Sequence, residues 1–283
     1  MNSFRDQKAT VSNACDGLRL DQAISRTFGI SRRKARVIIQ LGGAYLNKKR
    51  CRLAGKLVHR GQHLRIAYLN DEQTKSLHKE QIVWQQGDLV LIHKRCGQYS
   101  QEALHRSIGC LPDELRCLLG RPFRPIHRLD RDTSGLILFS ASRSLHLQLQ
   151  THWKTCARKT YLAVVEPAPA WETLTIDLPI SRQRATDGRY AVDVQRGRPS
   201  LTHARVIERR DQRALLELRP LTGRTHQLRI HLSAVGCPIL GDTRYGGKPH
   251  ERMMLHAWKL SITPPALPVP QAWEAHPEED WKW

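Results

Sequence analysis

The stretch HRLDRDTSGLILFSAS, residues 127–142, decides how the rest of this 283-residue chain is read. LILF at 136–139 is a short, continuous apolar run of the kind that forms a buried strand, and Ser134-Gly135 just before it marks a turn. Asp130 is thereby placed in a tight polar loop that feeds a core strand. Arg128 and Arg131 flank it, and neighbouring positive charge favours the carboxylate, so Asp130 is expected to stay ionised even where partly desolvated. Such a group suits a nucleophile or an electrostatic stabiliser rather than a general acid. An Asp-x-Asp pair is also a common turn former that bonds its own backbone, and for an arbitrary one that is the first reading.

Around this stretch the composition sets bounds. Lys and Arg number 46 against 26 Asp and Glu, a formal charge of +20, and basic residues recur throughout all but the last twenty positions. A polyanion is the expected partner. A membrane surface would call for a basic amphipathic helix or a lipidation motif, and neither stands out. With 40% hydrophobic residues the chain can bury a core, and it has neither a run of roughly 20 apolar residues nor a signal-peptide core at its polar start. These features predict a soluble, cytoplasmic protein. Seven scattered cysteines without a Cys-x-x-Cys pair predict reduced thiols, with neither bridges nor metal. The like-charged surface predicts a monomer.

Residues 69–81, LNDEQTKSLHKEQ, are polar and aperiodic and read as a linker between a unit at 1–68 and a larger one at 82–283. In the first unit, Ser31 is the expected N-cap of a helix whose apolar face is Ala35, Ile38 and Ile39 and whose stop is Gly42-Gly43. Arg32, Arg33 and Arg36 share its other face. AYLN, a basic turn carrying Lys48, Lys49 and Arg50, and HLRIAYL read as short strands, the last alternating Leu64, Ile66 and Tyr68 against His63, Arg65 and Ala67.

Beyond residue 142, KTYLAVVE (159–166) alternates as a strand, with Tyr161 on one face. In LRPLTGRTHQLRIHLSAVGCPILGDTRYGG (218–247), Leu215, Leu216 and Leu218 suggest a strand, Thr222-Gly223 a turn, and Thr225 the N-cap of a helix striped by Leu228, Leu232 and Val235. The start of that helix, with basic side chains on its first turns, is a natural anion site. His226 and His231, five apart, diverge on a helix and do not make a metal pair.

Three resemblances follow from these residues. RLDQAISRTFGISRRKARVIIQLGGAYLNKKR, with its continuation to residue 68, looks like an S4 RNA-binding domain, which implies that Arg32, Arg33, Arg36, Lys48, Lys49 and Arg50 face RNA. The string HRLDRDTSG resembles the signature of the RluA-type pseudouridine synthases of large-subunit ribosomal RNA. The segments around Tyr161 and Arg229, and RMMLHAWKL (252–260), are similar to that family's further motifs. A second Arg-Leu-Asp, Arg19 to Asp21, lacks the following Thr-Ser-Gly and is read as a decoy. Where relatives usually carry Asn-Lys-Pro-x-Gly this chain has His93-Lys94-Arg95-Cys96-Gly97, which puts that loop's shape in question, and ASRSL (141–145) lacks a common lysine.

The resemblance implies an α+β fold: a long, bent, mixed but mostly antiparallel sheet flanked by helices and loops, preceded by the small α/β S4-like unit. It implies that Asp130 is the catalytic aspartate, that Arg229 pairs with it, and that Tyr161 packs on the target base. His127, Arg128, Arg224, His226 and Leu255 are implied around the substrate. The implied reaction breaks the N1–C1′ bond of a uridine in structured RNA, turns the uracil over and rejoins it through C5. Nothing is consumed, so no cofactor or metal is expected, and neither a G-x-x-x-x-G-K-[ST] nor a G-x-G-x-x-G sequence stands at a strand-helix junction. Whether Asp130 bonds to the sugar, adds to the ring or abstracts a 2′ proton is open in the sequence. A binding protein that kept the fold and lost activity is the first rival reading, and a hydrolase of nucleosides or glycosides the second, although that would usually want two carboxylates about 5–9 Å apart and has little use for a basic module.

Overall fold

The computed structural model describes residues 4–69, 77–101, 110–183, 185, 189–267, 271–278 and 281–283. Along the chain run β1 (Phe4–Thr10), α1 (Leu20–Phe28), α2 (Arg32–Gln40), β2 (Ala44–Leu46), β3 (Lys49–Arg50), β4 (His63–Leu69), β5 (Ile82–Gln86) and β6 (Leu89–Lys94). Next come α3 (Leu111–Leu119), β7 (Arg124–Pro125), β8 (Ser134–Ser140), α4 (Arg143–Cys156), β9 (Ala157–Val165) and β10 (Thr173–Asp177). The last elements are β11 (Leu201–Arg210), β12 (Arg213–Pro220), α5 (Gln227–Ala234), β13 (Leu255–Ile262) and β14 (Gln271–Glu274). No helix among the described residues is long and apolar enough to cross a membrane.

The chain forms two compact units, residues 1–80 with 98–125, and residues 81–97 with 126–283. This differs from a single cut at 69–81, of which residues 70–76 lie outside the described residues. The stretch 98–125 groups with the amino-terminal unit, to which it is tied by ion pairs: the buried Asp113 of α3 takes Arg50 at 3.7 Å and also pairs with Arg52.

In the amino-terminal unit the sheet order is β1-β4-β2-β3. The helix at 32–40 forms as its sequence predicts: the Ser31 hydroxyl accepts from the Lys34 N–H, Ala35, Ile38 and Ile39 are buried, and Gly42 turns the chain at φ 78°. Asn47 and Lys48, both at positive φ, make the tight turn between β2 and β3. β1, which pairs along all of β4, is an addition the hydrophobic pattern did not announce.

The basic face of α2 is not simply solvated. Asp21 of α1, with its side chain fully buried, accepts from Arg36 at 2.7 Å, Arg32 at 3.0 Å and Arg19 at 3.4 Å. Burial alone would raise its pKa, but the guanidinium hydrogen bonds win and hold it at about 2. Arg32 and Arg36 remain about half exposed, whereas Arg50 is mostly buried against Asp113. Of the six basic residues assigned to RNA by resemblance, Arg33, Lys48 and Lys49 are therefore the exposed ones without such a bond in view, whereas Arg50 is turned onto Asp113.

The second unit is built on one sheet ordered β10-β11-β12-β9-β13-β8-β6-β5, with β14 beside β13. Every pairing along this order is antiparallel except β13 with β8, where His256 meets Ser134 and Ala257 meets Gly135. Ser134-Gly135 is thus the start of β8 rather than a turn, and all seven residues of that strand are buried. Gly135 lies at φ 108°, and a Cβ there would sit 2.2 Å from the Ala257 carbonyl oxygen, so only glycine lets the two strands meet. The closing run WEAHPEEDW enters β14 only with Trp273 and Glu274, and its residues 279 and 280 lie outside the described residues.

Two histidines, His256 buried and His127 partly buried, pin this sheet. His256 joins its Nδ1 to the Ser134 hydroxyl at 2.8 Å and its Nε2 to the Ala275 carbonyl at 2.8 Å. His127 Nε2 accepts from the Leu138 N–H at 3.2 Å while its ring stacks on Trp153. Loss of solvent pushes both down to about 3, from an ordinary value near 6.5.

Two measurements test these anchors. Asp21→Asn leaves three guanidinium groups facing a neutral amide and is expected to destabilise the amino-terminal unit by about 2 kcal/mol in chemical denaturation. Below pH about 6.5 the unfolded chain binds protons at His127 and His256 that the folded chain refuses until about pH 3. Stability should therefore fall as pH drops from 7 to 5, by up to about 1.4 kcal/mol per histidine per pH unit. His256→Asn should flatten that slope in thermal melts.

Candidate active site

Asp130 sits in the loop before β8, closed by a turn in which the Thr133 N–H donates to the Asp130 carbonyl. The segment after β6 braces this loop through its backbone. The fully buried Lys94 donates from Nζ to the Arg131 carbonyl at 2.7 Å and to the Arg95 carbonyl at 3.0 Å. The Gly97 N–H also reaches the Arg131 carbonyl, and Cys96 Sγ lies 3.2 Å from the Asp132 carbonyl. The loop that lacks the usual proline thus still grips the aspartate loop. From the other side Arg252 Nη2 donates to the Ser134 hydroxyl at 2.6 Å.

The charge partner of Asp130 differs from the one its neighbours suggest. Arg131 is turned onto Asp132 in a two-pronged contact of 2.7 and 3.0 Å. Asp130 Oδ2 instead accepts from Arg229 Nη1 at 3.1 Å, and its Oδ1 takes no hydrogen bond among the described residues. Arg229 is itself fixed by Asp242, which takes Nε at 2.7 Å and Nη2 at 2.8 Å. Desolvation works against the charge of this guanidinium, but Asp242 and then Asp130 outweigh it and hold the pKa above even the usual arginine value. A lysine could not span both carboxylates. Asp242 had no role in the sequence reading; its signal was Gly241 before it, at φ 82°, where a Cβ would lie 2.1 Å from the Arg252 carbonyl oxygen.

α5 delivers Arg229, and its start is not capped by Thr225. The N-cap is His226, in the left-handed region at φ 57°, and the Gln227 side chain organises the approach. Gln227 Oε1 accepts from the Thr222 hydroxyl and the Arg224 N–H, while its Nε2 donates to the Leu201 carbonyl and Thr202. His226 Nδ1 bonds the Tyr245 hydroxyl at 2.7 Å and its Nε2 faces Asp130 Oδ2 at 3.7 Å. Burial pulls His226 down to about 4 against the opposing pull of Asp130, which makes it neutral at pH 7. His231 is spent on Thr202 and the Leu178 carbonyl.

Tyr161 lies mid-sheet on β9, paired with Leu218 of β12 and Ala257 of β13. Burial, reinforced by Asp130, raises its phenol well above the ordinary tyrosine value and keeps it protonated. Asp130, Tyr161, Arg229, His127, Arg128, Arg224, His226 and Leu255 all line one cavity of about 410 Å³, within the range of small-molecule sites. Not all are equally available. His127 is engaged by Leu138 and Trp153 as described, and Arg224 points two of its nitrogens at the Pro199 carbonyl. Among the described residues no group of three or more His, Cys, Asp or Glu is placed to hold a metal ion.

Comparison with known proteins agrees with this geometry. A family model described as RNA pseudouridylate synthase matches residues 88–234, and one described as S4 domain matches residues 18–64. The chain is 31% identical over 283 residues to the ribosomal large subunit pseudouridine synthase C of Haemophilus influenzae, covering 90% of this chain and 87% of that one. It is 30% identical over 296 residues to the Escherichia coli protein of the same name, covering 94% and 91%. Among solved structures, human RNA pseudouridylate synthase domain containing 1 superposes with a TM-score of 0.61 at 30% identity, covering 69% of this chain and 82% of that one. With the sheet, the motif spacing and relatives along nine-tenths of the sequence in agreement, the chain belongs to the RNA pseudouridylate synthase family and carries an S4 RNA-binding domain.

Proposed function

We propose that this enzyme converts specific uridines of large-subunit ribosomal RNA to pseudouridine, with Asp130 acting on the ribose. The observation that carries the reading is the Asp130 carboxylate, tied through Oδ2 to Arg229 at 3.1 Å and facing the same cavity as Tyr161 and Leu255. Two relatives named for the large ribosomal subunit support the choice of RNA.

Breaking the N1–C1′ bond develops positive charge at C1′, which a carboxylate stabilises or captures, as in glycoside hydrolysis. Arg229 orients Asp130 without filling its coordination, and Oδ1 is left for the substrate. Leu255 and Tyr161 pack against the uracil and keep it in place while it turns over. Tyr161, its phenol held protonated by burial, serves as a hydrogen-bond donor at rest, and Asp130, the one carboxylate among the described residues lining the cavity, is the candidate to take the C5 proton. Neutral His226 supports Asp130 without neutralising it. Extruding the uridine costs a few kcal/mol of stacking, offset by phosphate contacts from basic surface.

RNA labelled with tritium at uridine C5 tests this directly. The intact protein should release the label to water, Asp130→Ala should reduce release to below about one-thousandth, and Arg229→Lys should cost about a hundredfold. No release from any cellular RNA by the intact protein would leave only an RNA-binding protein of this fold. For the amino-terminal unit, the combined charge reversal Arg33→Glu, Lys48→Glu and Lys49→Glu should weaken RNA binding and lower the salt slope of log affinity by about two to three. An unchanged slope in filter binding would remove these residues from the interface.

A further inference from the structure

Lys159 is a second charged feature of the cavity, to which the reading above gives no role. It stands two residues before Tyr161 on β9, so both side chains leave the same face of the strand, and it lines the same cavity. Of the five other lysines and arginines that line it, Arg128 and Lys154 are exposed and three are already engaged. Arg158 Nη1 donates to the Thr155 and Ala157 carbonyls, Arg224 to the Pro199 carbonyl, and Arg229 to Asp130 and Asp242. Lys159 makes no hydrogen bond or ion pair among the described residues, and Asp130 is the one carboxylate among the described residues lining the cavity. Opposite its amine is Gly223, where even an added Cβ would stand 3.9 Å from Nζ, so no side chain from that position fills the approach.

Loss of solvent draws the Lys159 amine below the ordinary lysine value, with no acidic neighbour to restore it. A partly desolvated ammonium without a counterion is costly, and the cost disappears when an anion arrives with the ligand. Uracil and ribose are neutral; the anion that RNA carries is the phosphodiester. Two strand residues span about 7 Å, on the order of the distance from a base to its own backbone phosphate. We propose that Lys159 forms an anion subsite that binds a backbone phosphodiester next to the extruded nucleotide, while Tyr161 holds the base. This rests on the synthase reading of the cavity and adds a binding residue to it.

The test uses the full-length protein with unmodified large-subunit ribosomal RNA carrying tritium at uridine C5, filter binding across a salt series, single-turnover release and thermal melts. Lys159→Met should weaken binding about tenfold and lower the salt slope by about one, with the saturating single-turnover rate changed less than threefold. Lys159→Arg should recover most of the affinity. Removing an unpaired ammonium should leave the melting temperature unchanged or higher. Lys282→Met, at an exposed position outside the cavity lining, is the control for net charge. An unchanged salt slope in Lys159→Met, or a loss matched by Lys282→Met, overturns the subsite, as does a rate loss without an affinity loss, which would assign Lys159 to the base. A melting temperature several degrees lower would reveal a structural partner and also overturn it. Absence of release by the unsubstituted protein, with the Lys159→Met binding loss intact, would sink the synthase reading and leave the anion subsite standing.

Discussion

One guanidinium shared between two carboxylates governs the second unit. Arg229 gives two of its nitrogens to the nearly buried Asp242 and the third to Asp130. The first contact is structural and saturated; the second is single and leaves an oxygen over. Orientation is thus set by Asp242, and the Asp130 carboxylate inherits it through Arg229. The glycine before Asp242, the left-handed His226 and the Gln227 bonds to the loop all serve to bring α5 and that carboxylate together.

The same tripeptide has two outcomes in this chain, and charge count separates them. Arg19-Leu20-Asp21 and Arg128-Leu129-Asp130 both bury the leucine. Asp21 disappears from solvent beneath three arginines. Asp130 keeps 19% of its side chain exposed and has one arginine. A carboxylate saturated with donors is a fastener, and one left short of donors is available for chemistry.

Much of this was legible in one dimension. The buried run LILF and the Ser31-capped helix are local patterns that survive folding, and the strand bearing Tyr161 forms as read, although Tyr161 to Val165 are buried in succession rather than alternately. Asp130, Tyr161, Arg229 and Leu255 reach one cavity from four separate segments. What escaped was what depends on distant partners. Arg131 was expected beside Asp130 by adjacency, but the loop turns it onto Asp132. Arg50 looked like surface charge until Asp113, more than sixty residues later, faced it. Asp242 and Lys94 carry no periodic signature, because their work is done on loop backbone and on another side chain.

The parallel meeting of β13 and β8 has a temporal side. Ser134 and His256 are 122 residues apart, and the Gly135 contact with Ala257 cannot form until both strands exist. Pairings of such long separation are late events in folding. A chain emerging from the ribosome has all of residues 1–125 at hand for its first unit while the loop holding Asp130 still lacks the strand that fixes it. The protein is thus ordered in time as well as in space, with the amino-terminal unit free to fold before the Asp130 loop is locked in position.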